Sequence, residues 1–168
     1  MKTPKTTVAP WRRFLLIVSA IPLLILLSAC SKSEPVSFEA RTDDGVFDST
    51  QFKGDVVYVD FWASWCVPCR ASFPWMNDML DKYADQGLRI IGITLDQDQD
   101  LARQFAEEFK AEFTIGFDLD GTIANQFGVK ALPSSVLIDR KGNLVATHTG
   151  FNDTQAIEYE ESIVKALK

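Results

Sequence analysis

The chain has 168 residues, a formal net charge of −6, 46% hydrophobic residues and three cysteines. That length suffices for one domain with a packed core. The negative balance argues against a protein that grips nucleic acid or anionic lipid through charge, so no nucleic-acid partner is expected.

The N-terminus reads differently from the rest. Lys2, Lys5, Arg12 and Arg13 precede an apolar run from Phe14 to Leu27, which ends in Leu27-Ser28-Ala29-Cys30. A charged start, a short apolar stretch and small residues describe a secretory signal. The run is shorter than the about 20 residues of a spanning helix, and Pro22 interrupts it. Leu-Ser-Ala-Cys resembles the bacterial lipobox, whose cysteine is lipidated and becomes the new N-terminus. Residues 1–29 are therefore expected to be a lipoprotein signal peptide. Residues 30–37 are expected to be the Cys30 lipid anchor and its tether, and residues 38–168 the domain. An uncleaved signal anchor would leave the domain on the same side of the membrane. Ser31 stands where an aspartate marks inner-membrane retention in enteric bacteria, which favours the outer membrane over the inner in a periplasm-facing envelope protein. The first 29 residues hold four basic and no acidic side chains, which leaves a formal −10 on the rest. Solubility explains that charge better than a basic substrate does.

Phe38 to Phe47 holds a turn, Thr42-Asp43-Asp44-Gly45, between two apolar pieces, and predicts a β-hairpin. Asp48 to Asp55 is a polar connection. Val56 to Phe61 (V-V-Y-V-D-F) reads as a buried strand rich in β-branched and aromatic residues. From Val67 to Gln86, Phe73, Met76, Leu80 and Tyr83 recur at helical spacing, with a kink expected at Pro74 and a stop at Gly87. Leu88 to Leu95 is a second buried strand. Asp96 to Asp100 is an acidic loop that supplies an N-cap. A helix follows with Leu101, Phe105 and Phe109 on its apolar face. Phe113–Phe117 is a strand, Asp118–Gly121 a turn and Thr122–Phe127 a short helix. Ser135–Asp139 and Leu144–Thr149 are strands joined by Arg140-Lys141-Gly142-Asn143. Asp153 or Thr154 caps a last helix whose buried face carries Ile157, Ile163, Val164 and Leu167. The pattern is α/β with a mixed sheet.

With Cys30 assigned to an anchor, Cys66 and Cys69 have only each other as internal partners. A structural disulfide normally closes a long loop, and a bridge over two residues constrains little. In an exported protein the pair therefore reads as a working dithiol. Cys66 sits where a strand gives way to a helix, and the amides and dipole there favour a thiolate. It is the expected exposed nucleophile, with Cys69 one turn on as resolving thiol. Pro68 suits the first turn, where a missing N–H costs nothing. Asp60 is a carboxylate inside an apolar strand. Burial raises such a group's pKa, which suits it to take the Cys69 proton. Leu132-Pro133 precedes a strand, where a cis bond is conceivable, but the residues alone favour an ordinary trans loop proline.

Other readings have less support. A Cys-x-x-Cys supplies two of the four ligands a structural zinc needs, so no metal site is expected. His148, the only histidine, reads as a surface residue of a strand. Asp96, Asp98 and Asp100 lack the glycine and terminal glutamate of a calcium loop and read as solvated. Trp62 and Trp65 read as packing beside the active turn, Trp65 also covering the disulfide.

V-D-F-W-A-S-W-C-V-P-C, then Pro74, then G-V-K-A-L-P-S-S-V-L-I-D-R-K-G-N-L-V resembles the thioredoxin superfamily. More narrowly it resembles the TlpA/ResA-like membrane-tethered thiol–disulfide oxidoreductases. The resemblance covers the chain from Phe38 to its end. It implies a thioredoxin fold with an N-terminal β-hairpin and an α/β insertion at about Ala102 to Gly128. It implies Cys66 as nucleophile, Cys69 as resolver and Pro133 as a cis proline. Trp65, Val67, Pro68 and Leu132 are then the substrate-contacting positions. Such proteins reduce disulfides of exported partners, apocytochrome c among them, are recharged by a membrane electron donor and need no cofactor. Two positions depart from the pattern. Many ResA-like members have asparagine where this chain has Asp60, and glutamate where it has Ser72, so Asp60 is expected to handle the proton alone. Two rival functions fit the same frame. A copper-handling or chaperone-like module is disfavoured by this chain's shortage of histidine and methionine near the cysteines. A thiol peroxidase would have a hydroxyl where Ala63 stands.

Overall fold

A computed structural model describes residues 35–168. The signal, Cys30 and most of the tether expected from the sequence lie outside the described residues. The chain enters along the domain: Val36 N–H donates to Gly142 O at 2.8 Å, and Gln126 Nε2 to Ser37 O at 2.9 Å.

Strands β1 (Glu39–Thr42) and β2 (Gly45–Asp48) form the predicted hairpin, with Thr42 opposite Gly45 across Asp43-Asp44. A 3-10 turn at Ser49–Phe52 leads to β3 (Val56–Trp62), buried along its whole length. Then come α1 (Cys69–Tyr83), β4 (Leu88–Thr94), α2 (Gln99–Glu108), β5 (Thr114–Phe117) and α3 (Thr122–Gln126). Strands β6 (Ser134–Ile138) and β7 (Leu144–Thr149) and helix α4 (Asp153–Leu167) complete the domain. The sheet order is β2-β1-β5-β4-β3-β6-β7. β3 pairs parallel with β4, and β4 with β5, while β6 is antiparallel to both β3 and β7. This is the mixed sheet of the thioredoxin fold, with α2, β5 and α3 as the central insertion.

Both faces of β3 are covered, which explains its near-continuous apolar run. On one face Val56, Tyr58 and Trp62 pack with Cys69, Phe73 and Met76 of α1, Phe105 of α2 and Ile163 of α4. On the other, Val57, Val59 and Phe61 pack with Ile123 and Ala124 of α3 and Phe38 and Phe47 of the hairpin. Phe73 sits at the centre of an aromatic cluster, 4.7 Å from Trp62, 4.9 Å from Phe105 and 5.1 Å from Phe113 between ring centroids. Burying each such ring is worth about 1.5–3 kcal/mol.

Helix α1 runs through Pro74 unbroken and passes into a 3-10 turn at Ala84–Gln86. Gly87 then adopts φ 89°, and a Cβ there would lie 2.8 Å from the Arg140 guanidinium, so the stop needs glycine twice over.

The amphipathic faces differ from expectation in three places. Leu101 is exposed, and α2 buries Ala102 in its place, while the predicted Phe105 is buried and Phe109 packs against the same cluster. Ile157 is 62% exposed, and the buried residues of α4 are Tyr159 and Ile163. The cap of α4 is Asn152, whose side-chain Oδ1 accepts the Thr154 and Gln155 N–H groups at 3.0 Å each. Asn ranks with Asp as a cap, so composition alone does not choose between neighbours.

Candidate active site

β3 ends at Trp62, and the chain turns through Ala63–Pro68 before α1 begins. Cys66 N–H donates to Ala63 O at 3.0 Å, and the amides of Cys69, Arg70 and Ala71 fold back on Cys66, Val67 and Pro68. These tight bonds set Cys66 one turn before Cys69, and the two form a disulfide with a 5.4 Å Cα–Cα separation. The turn lies at the C-terminal end of a central parallel strand, where open α/β sheets build their sites.

Cys69 is fully buried. Cys66, expected to be exposed, is only 4% exposed. Its backbone is tied into the turn on both sides and its sulfur is joined to the buried one. The exposed residues are its neighbours: Trp65 at 69% and Val67 at 74%, with Pro68 beside them. Trp65 therefore does not pack into the domain as expected. Strand parity explains the difference between the tryptophans. Trp62 is in phase with Tyr58 and points into the core, whereas Trp65 lies beyond the strand end.

The turn is held from β4. Asp96 is buried, and its carboxylate accepts Ser64 N–H at 2.7 Å, Ser64 Oγ–H at 2.9 Å and Thr94 Oγ1–H at 2.9 Å. The solvated reading of Asp96 is thus overturned, while Asp98 caps α2 by accepting Asp100 N–H. Spacing cannot separate three alternating aspartates. The available signal is position, since Asp96 directly follows a buried parallel strand. Asp96→Ala should cost about 2–4 kcal/mol by stranding the donors of Ser64 and Thr94. Urea unfolding of the oxidised protein measures it, and a loss below about 0.5 kcal/mol would mean that water replaces the carboxylate.

Asp60 is 2% exposed and shares the β3 face that carries Trp62 toward the Cys69 layer. Its Oδ2 has no hydrogen-bond partner. Burial holds its pKa well above the ordinary carboxylate range. The other buried unpartnered side-chain atom among the described residues is Trp62 Nε1, which lies 2.9 Å from where a Cβ on Gly92 would sit. Gly92 pairs with Asp60, so the indole occupies space that any larger residue would take.

Ser72 Oγ donates to Cys69 O at 3.1 Å and puts no carboxylate near the dithiol. Leu132-Pro133 is cis. Because β6 starts with Ser134 opposite Phe61, Leu132 and Pro133 run beside the end of β3 that leads into the Cys66 turn. Leu132 packs against the cluster containing both cysteines. Pro133 is buried, and its carbonyl accepts Gly150 N–H at 2.8 Å. His148 is half-buried rather than on the surface, stacked on Tyr159 at 4.0 Å. Among the described residues no three His, Cys, Asp or Glu side chains converge as a metal site.

The Redoxin family model matches residues 28–167. A ResA thiol-disulfide oxidoreductase of Bacillus thuringiensis subsp. konkukian is 33% identical over 107 residues, 64% of this chain and 62% of the relative. The match therefore spans under two thirds of that relative's length. A Chlorobium tepidum structure assigned as a thiol:disulfide interchange protein DsbE is 41% identical with a TM-score of 0.77, covering 80% of this chain and 96% of its own. The exposed lipoprotein thioredoxin of Streptococcus pneumoniae is 27% identical with a TM-score of 0.64, covering 76% of this chain and 99% of its own. The chain belongs to the Redoxin family and, within the thioredoxin superfamily, to its ResA-like branch.

Proposed function

We propose that this protein is an extracytoplasmic thiol–disulfide oxidoreductase that reduces disulfides of exported proteins. The carrying observation is the Cys66–Cys69 disulfide at the β3–α1 junction, above a buried carboxylate without a partner. A short-range bridge between elements already packed together adds little stability, so it is better suited to cycling than to holding the fold.

The reduced form starts the reaction. Cys66 thiolate attacks a sulfur of the substrate disulfide, its S–S bond breaks, and one substrate thiolate leaves. Cys69 then gives its proton to Asp60 and attacks the Cys66 sulfur. The Cys66–Cys69 bond forms, the mixed disulfide breaks, and the second substrate thiolate leaves. Two electrons pass from the dithiol to the substrate. Exposed Trp65, Val67 and Pro68 offer an apolar rim to an extended peptide, and the cis Leu132-Pro133 backbone runs along its other side. A membrane electron donor returns the dithiol to its reduced state.

The lipobox Leu27-Ser28-Ala29-Cys30 supports an anchor at Cys30 that holds the domain on the periplasmic side of an envelope membrane, the outer one favoured. A relative described as an exposed lipoprotein thioredoxin adds to that support. Among the described residues no helix is long and apolar enough to cross a membrane.

A redox-equilibrium titration of Cys66–Cys69 tests the direction. A midpoint near about −270 mV supports the reductant, and one near about −120 mV replaces it with an oxidant.

A further inference from the structure

Four residues form a row across the sheet. Gly92 of β4 pairs with Asp60 of β3, Asp60 with Ser135 of β6, and Ser135 with His148 of β7. Paired residues on neighbouring strands project to the same side. Asp60, Ser135 and His148 therefore share the face that carries Trp62 and packs against α1 and α4. The neighbours of this row on the same face include Trp62 on β3, Leu137 on β6 and Ala146 on β7. The row starts at the buried carboxylate and ends on β7, the sheet's edge strand.

The outer part of the row is built. Ser135 Oγ is 3.1 Å from His148 Nδ1. The imidazole lies almost parallel to Tyr159, with centroids 4.0 Å apart and planes 24° apart, and Tyr58 lies 6.3 Å away at 26°. The Tyr159 hydroxyl donates to the carbonyls of Gly150 at 3.0 Å and Thr149 at 3.3 Å, which fixes the surface on which the ring rests. The inner end is the unpartnered Oδ2 of Asp60. Cross-strand Cβ atoms lie about 4.5–5.5 Å apart, which puts the carboxyl within reach of the Ser135 hydroxyl, directly or through one water.

We propose that Ser135 and His148 form a proton relay that carries the proton taken from Cys69 by Asp60 out to solvent at the β7 edge. The inference rests on the reading of Asp60 as the base of the resolving step. Once Asp60 is protonated, its carboxyl passes the proton to Ser135 Oγ, directly or through one water. Ser135 passes its own hydroxyl proton to His148 Nδ1, and His148 releases one from Nε2. The relay forms and breaks only O–H and N–H bonds, and the disulfide exchange moves the electrons.

Among the groups near Asp60, the relay pair is the best fitted to this role. Tyr58 on its own strand, Cys69 of α1 and Tyr159 of α4 are the titratable side chains of that layer, with Glu158 beside Tyr159. Burial, reinforced by nearby negative charge, raises both phenols, so neither ionises near neutrality. Burial lowers His148, leaving the ring neutral and Nδ1 able to accept.

The test uses the reduced full chain and a symmetrical aromatic disulfide whose two thiolates absorb light, so that attack by Cys66 and resolution by Cys69 release separate signals. Ser135→Ala and His148→Phe should leave the attack step within about twofold and slow resolution on the order of tenfold. In His148→Gly, added imidazole should restore the resolution rate, a response that lost packing would not give. Unchanged resolution in Ser135→Ala and His148→Phe, with Asp60→Asn slow, overturns the relay and leaves Asp60 as base. A slow His148→Gly that ignores imidazole makes His148 a packing residue and also overturns it. Normal resolution in Asp60→Asn removes the base itself, and the relay with it.

Discussion

Cys69→Ser should convert the protein from a catalyst into a trap. Cys66 keeps its place at the head of α1, where the helix dipole favours its thiolate, so attack on a substrate disulfide still proceeds. The second step needs a thiol at position 69 and has none. Mixed disulfides between Cys66 and exported proteins should accumulate and run as reducible bands on non-reducing gels. Cys66→Ser should remove them, because Cys69 is fully buried and cannot meet a protein substrate. Turnover should fall by at least about a thousandfold in both variants, with opposite intermediates. Absence of trapped species in Cys69→Ser, or equal trapping in both, would refute the assignment of nucleophile and resolver. The trapped partners would also name the substrates, which the exposed rim of Trp65, Val67 and Pro68 leaves open.

Which parts of this site could be read from sequence follows from how local each one is. The β3 strand is legible because burial on both faces writes a continuous apolar run into seven adjacent residues. Asp60 stands out against that run, and the hairpin declares itself through Asp43-Asp44-Gly45. Elements of this kind carry their signal within a few positions. The inward turn of Asp96 does not, because it depends on Ser64 lying 32 residues away. The polar row is less legible still. Ser135 and His148 meet only through the β6–β7 register, which shifts between Leu137 and Ile138, so counting back from the turn would misplace the pair. Ile157 illustrates the converse: an apolar residue at helical spacing that tertiary packing leaves outside.

Asp60→Asn should stabilise the oxidised protein while crippling it. The carboxylate is buried with Oδ2 unpaired, and removing such a group's charge relieves a penalty of about 1–3 kcal/mol. The sign of the pH dependence follows from the raised folded-state pKa. Below the unfolded carboxyl's pKa of about 3.9, Asp60 is protonated in both states and costs nothing as a charge. As pH rises from there through the folded pKa, the unfolded state ionises first, and the wild type loses stability that Asp60→Asn keeps. The stability difference should therefore be small near pH 4.5 and grow toward pH 8. Urea unfolding of both proteins as disulfides, so that no thiol titrates, reads it directly, and all other carboxylates cancel in the comparison. A pH-independent difference would mean that Asp60 is already ionised when folded, with a counter-charge not seen here. Resolution by Cys69 should meanwhile slow by about a hundredfold, with attack by Cys66 changed little. The two effects have one cause, since the desolvation that makes the carboxylate costly also makes it basic enough to take a thiol proton.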